Sequence, residues 1–351
     1  MRGFYGVMAA AIAITPMQAA AETYDVTVVA GHPPVFRWVR MLDEAFYPAV
    51  NEALAEHGHE MNFTGQYGGT LAGVGEELEA IEVGLAELGT CESLFDPAKL
   101  GPQNVTYYTP FVSSDVRQVG ELMDRLHSED PRMQQAYLDN GNTYLGGPIV
   151  IDDYILMTNF PVQSLADLDG RRIAAPGAAT NWLSGTGAVG VSGNLTTYYN
   201  ELQTGVYDGV IVFASAALPS NLAEVAPYIL RAGLGAQFAA GICANTDWYE
   251  GLPVEVQEAL VAGTEVARDW YLGELEAAVE TAFTTMEANG ATIFDAPQEM
   301  RQAWADGMEN AAAVWAAELD GRGEPGTEIL SLYMDAMRDA GATPLRDWDR
   351  E

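Results

Sequence analysis

The N-terminal third of the chain alternates between strand-like and helix-like hydrophobic patterns, and this alternation limits the folds open to it. Apolar residues recur every three or four positions over residues 36–54 and again over 78–85, which predicts two helices. Strand-like segments flank and separate them at 24–30, 60–67 and 86–92. Such a β-α-β-α-β order predicts a parallel sheet covered by helices, with ligands beyond the carboxyl ends of the strands.

A second group of alternating elements begins near Leu145. Extended segments are predicted at 143–152, 154–160 and 171–177, a capped helical turn at 164–170, a helix at 214–230 and a strand at 239–245. Residues 194–213, NLTTYYNELQTGVYDGVIVF, are interpreted as a short helix that ends at Gly205 and hands over to a strand leading out of one subdomain. The whole chain is therefore expected to be α/β.

A helical pattern extends almost unbroken from Pro253 to Gly290. At about 1.5 Å per residue, such a helix exceeds 50 Å, which is more than the width of one small domain. We interpret it as a strut that packs across two domains, and further helices are expected to finish the chain.

Residues 1–21 have the composition of a secretory signal peptide: Arg2, then a short apolar core, then a run of alanines before Glu22. The apolar run is too short to span a bilayer, so cleavage, export and no direct membrane insertion are expected. Cys91 and Cys243 could then pair in an oxidising compartment, although the sequence does not show how far apart they lie.

The charge of the chain excludes several classes of partner. Fifty acidic residues stand against sixteen basic ones, for a net charge of -34. Such a field repels phosphates and anionic lipids, so nucleic acid is not an expected partner. We interpret the acidity as a solvated surface suited to salty surroundings.

Enzyme and scaffold classes find little support in the motifs. The segment GTGAVG at 185–190 fits the dinucleotide pattern G-x-G-x-x-G, but no convincing strand precedes it and no helix follows at once. The only histidine cluster, HGHE at 57–60, is interpreted as a polar helix end. No cofactor and no metal are predicted. An exported hydrolase built from scattered residues stays a remote alternative, and the absence of repeats argues against an adhesive protein.

Residues 164–209 resemble one segment of the solute receptors of tripartite ATP-independent periplasmic (TRAP) transporters, in which a "DLKG.KI" turn precedes "GA.P…Y.ALQ.G.VDG". The matching residues are Asp167, Leu168, Gly170, Ile173, Pro176, Gly187, Ala188, Tyr199, Leu202, Gln203, Gly205, Val206, Asp208 and Gly209. This resemblance implies a two-lobed periplasmic binding protein fold, with hinge strands and a long helix spanning both lobes. It further implies a receptor that binds a small-molecule solute, works with TRAP permease membrane subunits and is not an enzyme.

The resemblance, combined with the element order, assigns residues to two lobes. Lobe I is expected to contain 22–148 plus 213–250, and lobe II 149–212 plus 251–351, including the spanning helix and the C-terminal helices. Asp208 and Gly209 are expected to be structural, since an acid at a turn accepts backbone hydrogen bonds.

This chain departs from the family where ligand contacts are usual. The family's arginine, which forks onto a ligand carboxylate, corresponds to Ala174, and an acidic position corresponds to Thr197. A usual polar position falls near Val212 and Phe213. The family's ordinary dicarboxylate or sugar-acid ligand therefore does not carry over directly.

Ligand contacts must instead come from residues near the predicted strand ends and loops. The candidates are Arg37, Trp38, Tyr67, Glu92, Asp152, Asn181, Trp182, Asn194 and Phe213, with His32, Phe36 and Asp153 beside them. In one hypothesis Arg37 replaces the missing cation and a small organic acid binds. In the other, Trp38, Tyr67 and Trp182 join Glu92 or Asp152 in a cage for an amine or quaternary ammonium.

Overall fold

A computed structural model describes residues 22–351, so the predicted signal peptide lies outside the described residues. Over this part the chain forms eleven strands, in chain order β1 Thr23–Ala30, β2 Glu60–Tyr67, β3 Leu88–Glu92, β4 Asn142–Ile151, β5 Tyr154–Thr158, β6 Arg172–Ala175, β7 Val189–Ser192, β8 Gly209–Phe213, β9 Tyr228–Arg231, β10 Gln237–Asn245 and β11 Thr292–Asp295.

The α-helices of the same residues are α1 Arg37–Met41, α2 Tyr47–Ala55, α3 Glu77–Glu82, α4 Val105–Tyr108, α5 Val116–Glu129, α6 Pro131–Leu138, α7 Tyr198–Gln203, α8 Ala214–Ala217, α9 Thr246–Glu250, α10 Val254–Ala288, α11 Gln298–Gly307, α12 Ala311–Arg322 and α13 Gly326–Asp339. A π-helical turn, Leu42–Phe46, joins α1 to α2. Short 3₁₀ helices lie at Ser93–Phe95, Pro102–Asn104, Leu165–Leu168, Gly177–Leu183 and Leu222–Glu224.

The strands form two sheets, each of which is the centre of one lobe. The first sheet has the order β2-β1-β3-β10-β4, and the second has the order β11-β9-β5-β8-β6-β7. The predicted parallel pairing is confirmed for β1, β2 and β3. Both sheets are nevertheless mixed. In the first sheet β10 runs antiparallel to β3 and β4, and in the second sheet β5 runs antiparallel to β8 and β9.

The chain passes between the sheets at 151–154, at 231–237 and along α10. The first lies close to the predicted boundary at 148/149, whereas the second was predicted near residue 213. The strand that contains the end of 194–213 does not lead out of its subdomain, because β8 pairs with β5 and β6 inside the second sheet. β9 also belongs to the second sheet, so the predicted lobe I range 213–250 is wrong up to Arg231.

The helix predicted for 214–230 is mostly wrong. Only α8 and one 3₁₀ turn form there, and the end of the segment is strand β9. Pro219 lacks the backbone N–H that a continuing helix needs, and Asn221 adopts a left-handed backbone conformation with φ 55°. These two residues explain why the helix stops.

Helix α10 packs against both lobes, as predicted. Its 35 residues make a helix about 52 Å long at 1.5 Å per residue. A Cβ on Gly263 would lie 2.4 Å from a methyl group of Val50, which shows how closely the helix approaches α2 in the first lobe. Its other end buries Ala282 and Met286 in the hydrophobic cluster of the second lobe.

The last two helices, α12 and α13, lie against first-lobe segments rather than in lobe II, which corrects the predicted range 251–351. Trp315 of α12 stacks on Tyr108 with ring centroids 5.2 Å apart. The indole N–H of Trp348 donates to the carbonyl of Pro110 at 2.8 Å. These aromatic contacts hold the C-terminal region against the segment between β3 and β4.

A disulfide joins Cys91 of β3 to Cys243 of β10, with the two Cα atoms 6.1 Å apart. Both sulfurs are buried in the first sheet. The sequence could not decide this pairing, since 152 positions separate the two cysteines.

The two faces of the second sheet contact different parts of the molecule. Ile173 and Ala175 of β6 join the large cluster that continues into the first lobe, whereas Ala174 between them joins the separate second-lobe cluster. This alternation follows from the two-residue period of a strand. Position 174 therefore packs into the interior of the second lobe.

Candidate functional site

A cleft lies between the two sheets, beside the carboxyl ends of β3 and β8. The space between its walls, counted out into open solvent, is about 510 Å³. The lining comes from both lobes and from the crossing between them: His32, Trp38, Glu92, Leu94, Phe95, Tyr107, Ile149, Ile151, Tyr154, Pro176, Asn194, Leu195, Tyr198, Ile211, Val212, Phe213, Ala239 and Ala240.

Aromatic rings form most of the wall of the cleft. The ring of Trp38 stacks on Phe36 with centroids 4.5 Å apart, and it also contacts Phe213 of the second lobe at 5.9 Å. Tyr154 packs edge-on against Phe213 at 5.2 Å and shares a hydrogen bond with Tyr107, with 2.9 Å between the hydroxyl oxygens. The wall is therefore continuous from one lobe to the other.

The polar groups of the cleft in the first lobe are His32 and Glu92. β1 ends just before His32 and β3 ends at Glu92, so the parallel pairing of the strands brings the two side chains together. His32 Nδ1 and Glu92 Oε1 lie 2.9 Å apart, and both side chains are 5% exposed. The prediction of ligand contacts after the first and third strands is consistent with this placement. The loop after Tyr67, which was also a candidate, does not line the cleft.

The polar group contributed by the second lobe is Asn194, which follows β7. Its Oδ1 accepts hydrogen bonds from the backbone N–H and the hydroxyl of Thr196. No acceptor among the described residues bonds its amide nitrogen, which stays able to donate. The cleft thus offers a carboxylate in one lobe and an amide donor in the other.

Four of the nine candidate residues line the cleft: Trp38, Glu92, Asn194 and Phe213. Arg37 precedes Trp38 on the same helix, and since successive helical residues point about 100° apart, it does not share the tryptophan's direction. Asn181 is exposed on the 3₁₀ helix that follows β6. The cation that Arg37 was expected to supply is therefore not part of the lining.

Tyr67 and Trp182 lie outside the lining, so the predicted cage is not assembled as expected. Tyr67 ends the edge strand β2, and its hydroxyl lies 2.6 Å from that of Tyr47. Trp182 is 1% exposed and lies behind the wall, where it stacks on Tyr107 and donates its indole N–H to the carbonyl of that residue at 2.7 Å.

Asp152 and its neighbour Asp153 stabilise the crossing segments rather than the cleft. Asp152 accepts hydrogen bonds from the backbone N–H and hydroxyl of Ser215, and Asp153 accepts from the backbone N–H of Gly235 at 2.7 Å. Burial raises the pKa of each carboxyl to about 6. The pair therefore connects the first crossing to α8 and to the second crossing.

Asp208 is structural, as predicted, and accepts the backbone N–H of Arg172 at 2.8 Å. The glycine-rich segment 185–190 leads into β7 rather than into a helix, so it lacks the context of a dinucleotide site. A Cβ on Gly185 would overlap the carbonyl of Gly307, so close packing against α11 explains that glycine.

Sequence reasoning missed most of the apolar lining. Tyr154 and Tyr198 belonged to a predicted strand and a predicted helix without a signal of their own, and no element was predicted for the segment that contains Tyr107. Tyr154 begins β5 directly after the first crossing, and Tyr198 begins α7 with its hydroxyl directed at the carbonyl of Ile211. A tyrosine next to a predicted lobe crossing was the one available clue.

The described residues contain no group of histidine, cysteine and acidic side chains arranged to hold a metal ion. Among the helices of residues 22–351, none combines the length and apolarity needed to cross a bilayer.

Two α/β lobes with two crossing segments, one spanning helix and a shared aromatic cleft define the class of two-lobed solute-binding proteins. Within that class, the chain belongs to the DctP family, bacterial extracellular solute-binding protein family 7, whose family model matches residues 48–318. The resemblance seen in the sequence is thereby confirmed.

Solved structures with this fold include several TRAP receptors. The periplasmic ectoine-binding protein of the Halomonas elongata TeaABC transporter superposes with a TM-score of 0.77 at 18% identity, covering 90% of this chain and 99% of that one. Bordetella pertussis DctP7, which binds pyroglutamic acid, gives 0.74 at 19%, covering 90% and 99%. A Sulfitobacter receptor with bound β-D-galacturonate gives 0.74 at 17%, covering 89% and 99%.

Proposed function

We propose that this chain is the extracytoplasmic solute receptor of a TRAP transporter and that it binds a small organic acid. Residues 1–21 act as a signal peptide that directs export to the periplasm and is then cleaved. The observation that carries the proposal is a cleft lined by both lobes. The ectoine, pyroglutamate and galacturonate receptors of the same fold support the transporter and the size of the solute.

The two lobes supply different contacts, so closure and binding are coupled. Trp38 and Glu92 belong to the first lobe, and Asn194 and Phe213 to the second. A solute that touches all four favours the closed arrangement by its differential affinity for that state. The closed surface is then what the membrane permease subunits recognise, and no bond of the solute is made or broken.

A carboxylate of the solute needs a donor, and Asn194 supplies one from the second lobe. Neither arginine nor lysine is among the lining residues. Because a neutral amide donor forms a weaker bond than a guanidinium fork, much of the affinity must come from the apolar body of the solute against Trp38 and Phe213.

The test is a titration of ligand-stripped protein with a panel of small organic acids, followed by thermal unfolding. A bound solute should raise the unfolding temperature with the logarithm of its concentration, and at one hundred times Kd the stabilisation is about 2.7 kcal/mol. Mass spectrometry of the recovered solute should show it unchanged. A converted solute, or no response to any acid and no co-purified small molecule, would refute the receptor function.

Substitutions in opposite lobes test the shared cleft. Trp38→Ala and Phe213→Ala should each reduce the affinity measured by calorimetry. The matched controls are Leu85→Ala and Val206→Ala, which shorten apolar side chains that are 59% and 45% exposed, one in each lobe. The controls should bind like the unchanged protein; a loss confined to one lobe would contradict binding between the lobes.

A further inference from the structure

Glu92 is the one carboxylate among the lining residues, and its placement is built into the sheet. The residue ends β3, whose neighbour β10 is joined to it by the disulfide at Cys91. The whole residue is 6% exposed. The side chain therefore has little freedom to turn toward bulk water.

The two carboxylate oxygens of Glu92 differ in their partners. Oε1 lies 2.9 Å from Nδ1 of His32. Oε2 is buried and has no hydrogen-bond partner among the described protein groups. A buried acceptor without a partner is costly, and a carboxylate oxygen more so than a neutral one. Oε2 is thus an acceptor for which the described protein groups provide no donor, and it belongs to a residue that lines the cleft.

The charges around Glu92 favour a donor that is neutral or positive. Glu77 is 1% exposed and accepts the backbone N–H groups of Gly31 and Gly75. Burial, and after it the charge of Glu92, raise the pKa of Glu77 well above its ordinary value. Glu77 lies outside the lining, so Glu92 is the acid and His32 the basic residue that face the cleft.

The remaining lining is poor in groups that could bind a polyhydroxylated solute. The hydroxyls of Tyr107 and Tyr154 bond each other, and that of Tyr198 bonds backbone carbonyls. Each further hydroxyl of a sugar acid would be buried against apolar side chains without a partner. A compact, mostly apolar solute with one donor and one acceptor satisfies the cleft better.

We propose that Glu92 Oε2 accepts a hydrogen bond from an N–H group of the solute, and that Glu92 thereby selects small nitrogen-bearing organic acids. The proposal rests on the receptor function and names the solute class. The acid group of the solute faces Asn194 in the second lobe, and its N–H group faces Glu92 in the first. A quaternary ammonium has no N–H and does not satisfy this acceptor.

Three probes with one five-membered ring and one carboxylate test the proposal. Cyclopentanecarboxylate has no donor, pyroglutamate has a neutral amide N–H, and proline has a cationic N–H. Ligand-stripped protein should bind at least one nitrogen-bearing probe about tenfold to a hundredfold more tightly than cyclopentanecarboxylate, the range for a hydrogen bond to a charged group. The order of proline and pyroglutamate tells a charged donor from a neutral one.

Glu92→Gln keeps the shape and removes the charge, so the preference for the cationic probe should fall to within about threefold, while the anion cyclopentanecarboxylate should bind no more weakly than before. The control is Glu79→Gln, which removes one charge from an exposed position on α3. Equal binding of all three probes by the unchanged protein, an unchanged preference in Glu92→Gln, or a co-purified solute without an N–H group would each overturn the proposal. A bound solute without N–H leaves the receptor function intact, whereas no solute and no response to any acid would refute both.

Discussion

Replacing Trp182 by alanine should destabilise the protein strongly and weaken solute binding, although the side chain does not line the cleft. The tryptophan is 1% exposed, stacks on Tyr107 and packs edge-on against Tyr154 at 5.1 Å. Truncating such a ring costs about 3–5 kcal/mol. The carbonyl of Tyr107 also loses its indole donor, which adds about 1 kcal/mol.

A loss of this size is a large share of the stability of an ordinary domain, about 5–15 kcal/mol. Trp182→Phe is therefore the companion variant, because it keeps most of the apolar ring and removes the indole N–H. We expect it to lose about 1–2 kcal/mol. Trp270→Ala is the control, since that tryptophan is only half-buried on α10.

The assay combines urea unfolding with calorimetric titration of the solute. Both Trp182 variants should lower the unfolding midpoint with an unchanged slope, and their affinities should fall, by at least about tenfold for Trp182→Ala, because Tyr107 and Tyr154 lose the ring that holds them in place. If Trp182→Ala unfolds within about 1 kcal/mol of the unchanged protein, the inferred packing behind the wall is wrong.

Three further perturbations test other parts of the structure. Replacing Cys91 and Cys243 by alanine opens a loop with a sequence separation of 152, worth at most about 5 kcal/mol in chain entropy; an unchanged urea midpoint would refute that account. Because burial raises the pKa of Asp152 to about 6, above its unfolded value, the native state binds this proton more tightly, and stability from this group is lost as pH rises from about 4 to about 6. Asp152→Asn should lack this contribution, about 3 kcal/mol, so parallel pH profiles of urea unfolding would contradict the assignment. Ala174→Arg places a cation in the buried second-lobe cluster and should reduce both folding stability and solute affinity. An unchanged melting temperature with retained binding would show that the side chain at this position reaches solvent instead of the cluster.

Elements set by local pattern were predicted well from the sequence. The bounds of β2 agree with the predicted 60–67, and α10 runs from Val254 to Ala288 within the predicted 253–290. In both cases the hydrophobic period lies within the segment, and a glycine or proline lies close to its ends. The route between the lobes was wrong because it depends on strand pairing: nothing in 206–213 shows that β8 has partners on both sides.

The candidate site was predicted in part for a related reason. The rule that ligands lie beyond strand ends located Glu92, and residues near strand ends also included Trp38, Asn194 and Phe213. The same rule includes Tyr67 and Asp152, because it locates an edge and not the direction of a side chain. Tyr67 belongs to an outer strand, and Asp152 turns toward Ser215.

The departure at Ala174 indicates how fold and specificity separate in this protein. The family's arginine would have to occupy a strand position that here packs into the second-lobe cluster, next to a turn in which Gly193 leaves little room. The fold does not need that cation, since the same two sheets and spanning helix form without it. Where the family has a basic arginine, the cleft of this chain has an acidic side chain, because Glu92 is the carboxylate of the lining and the lining contains no arginine or lysine. Selectivity must then come from what Glu92 accepts and Asn194 donates, and the solute of this receptor cannot be read from the solutes of structures that share only its backbone.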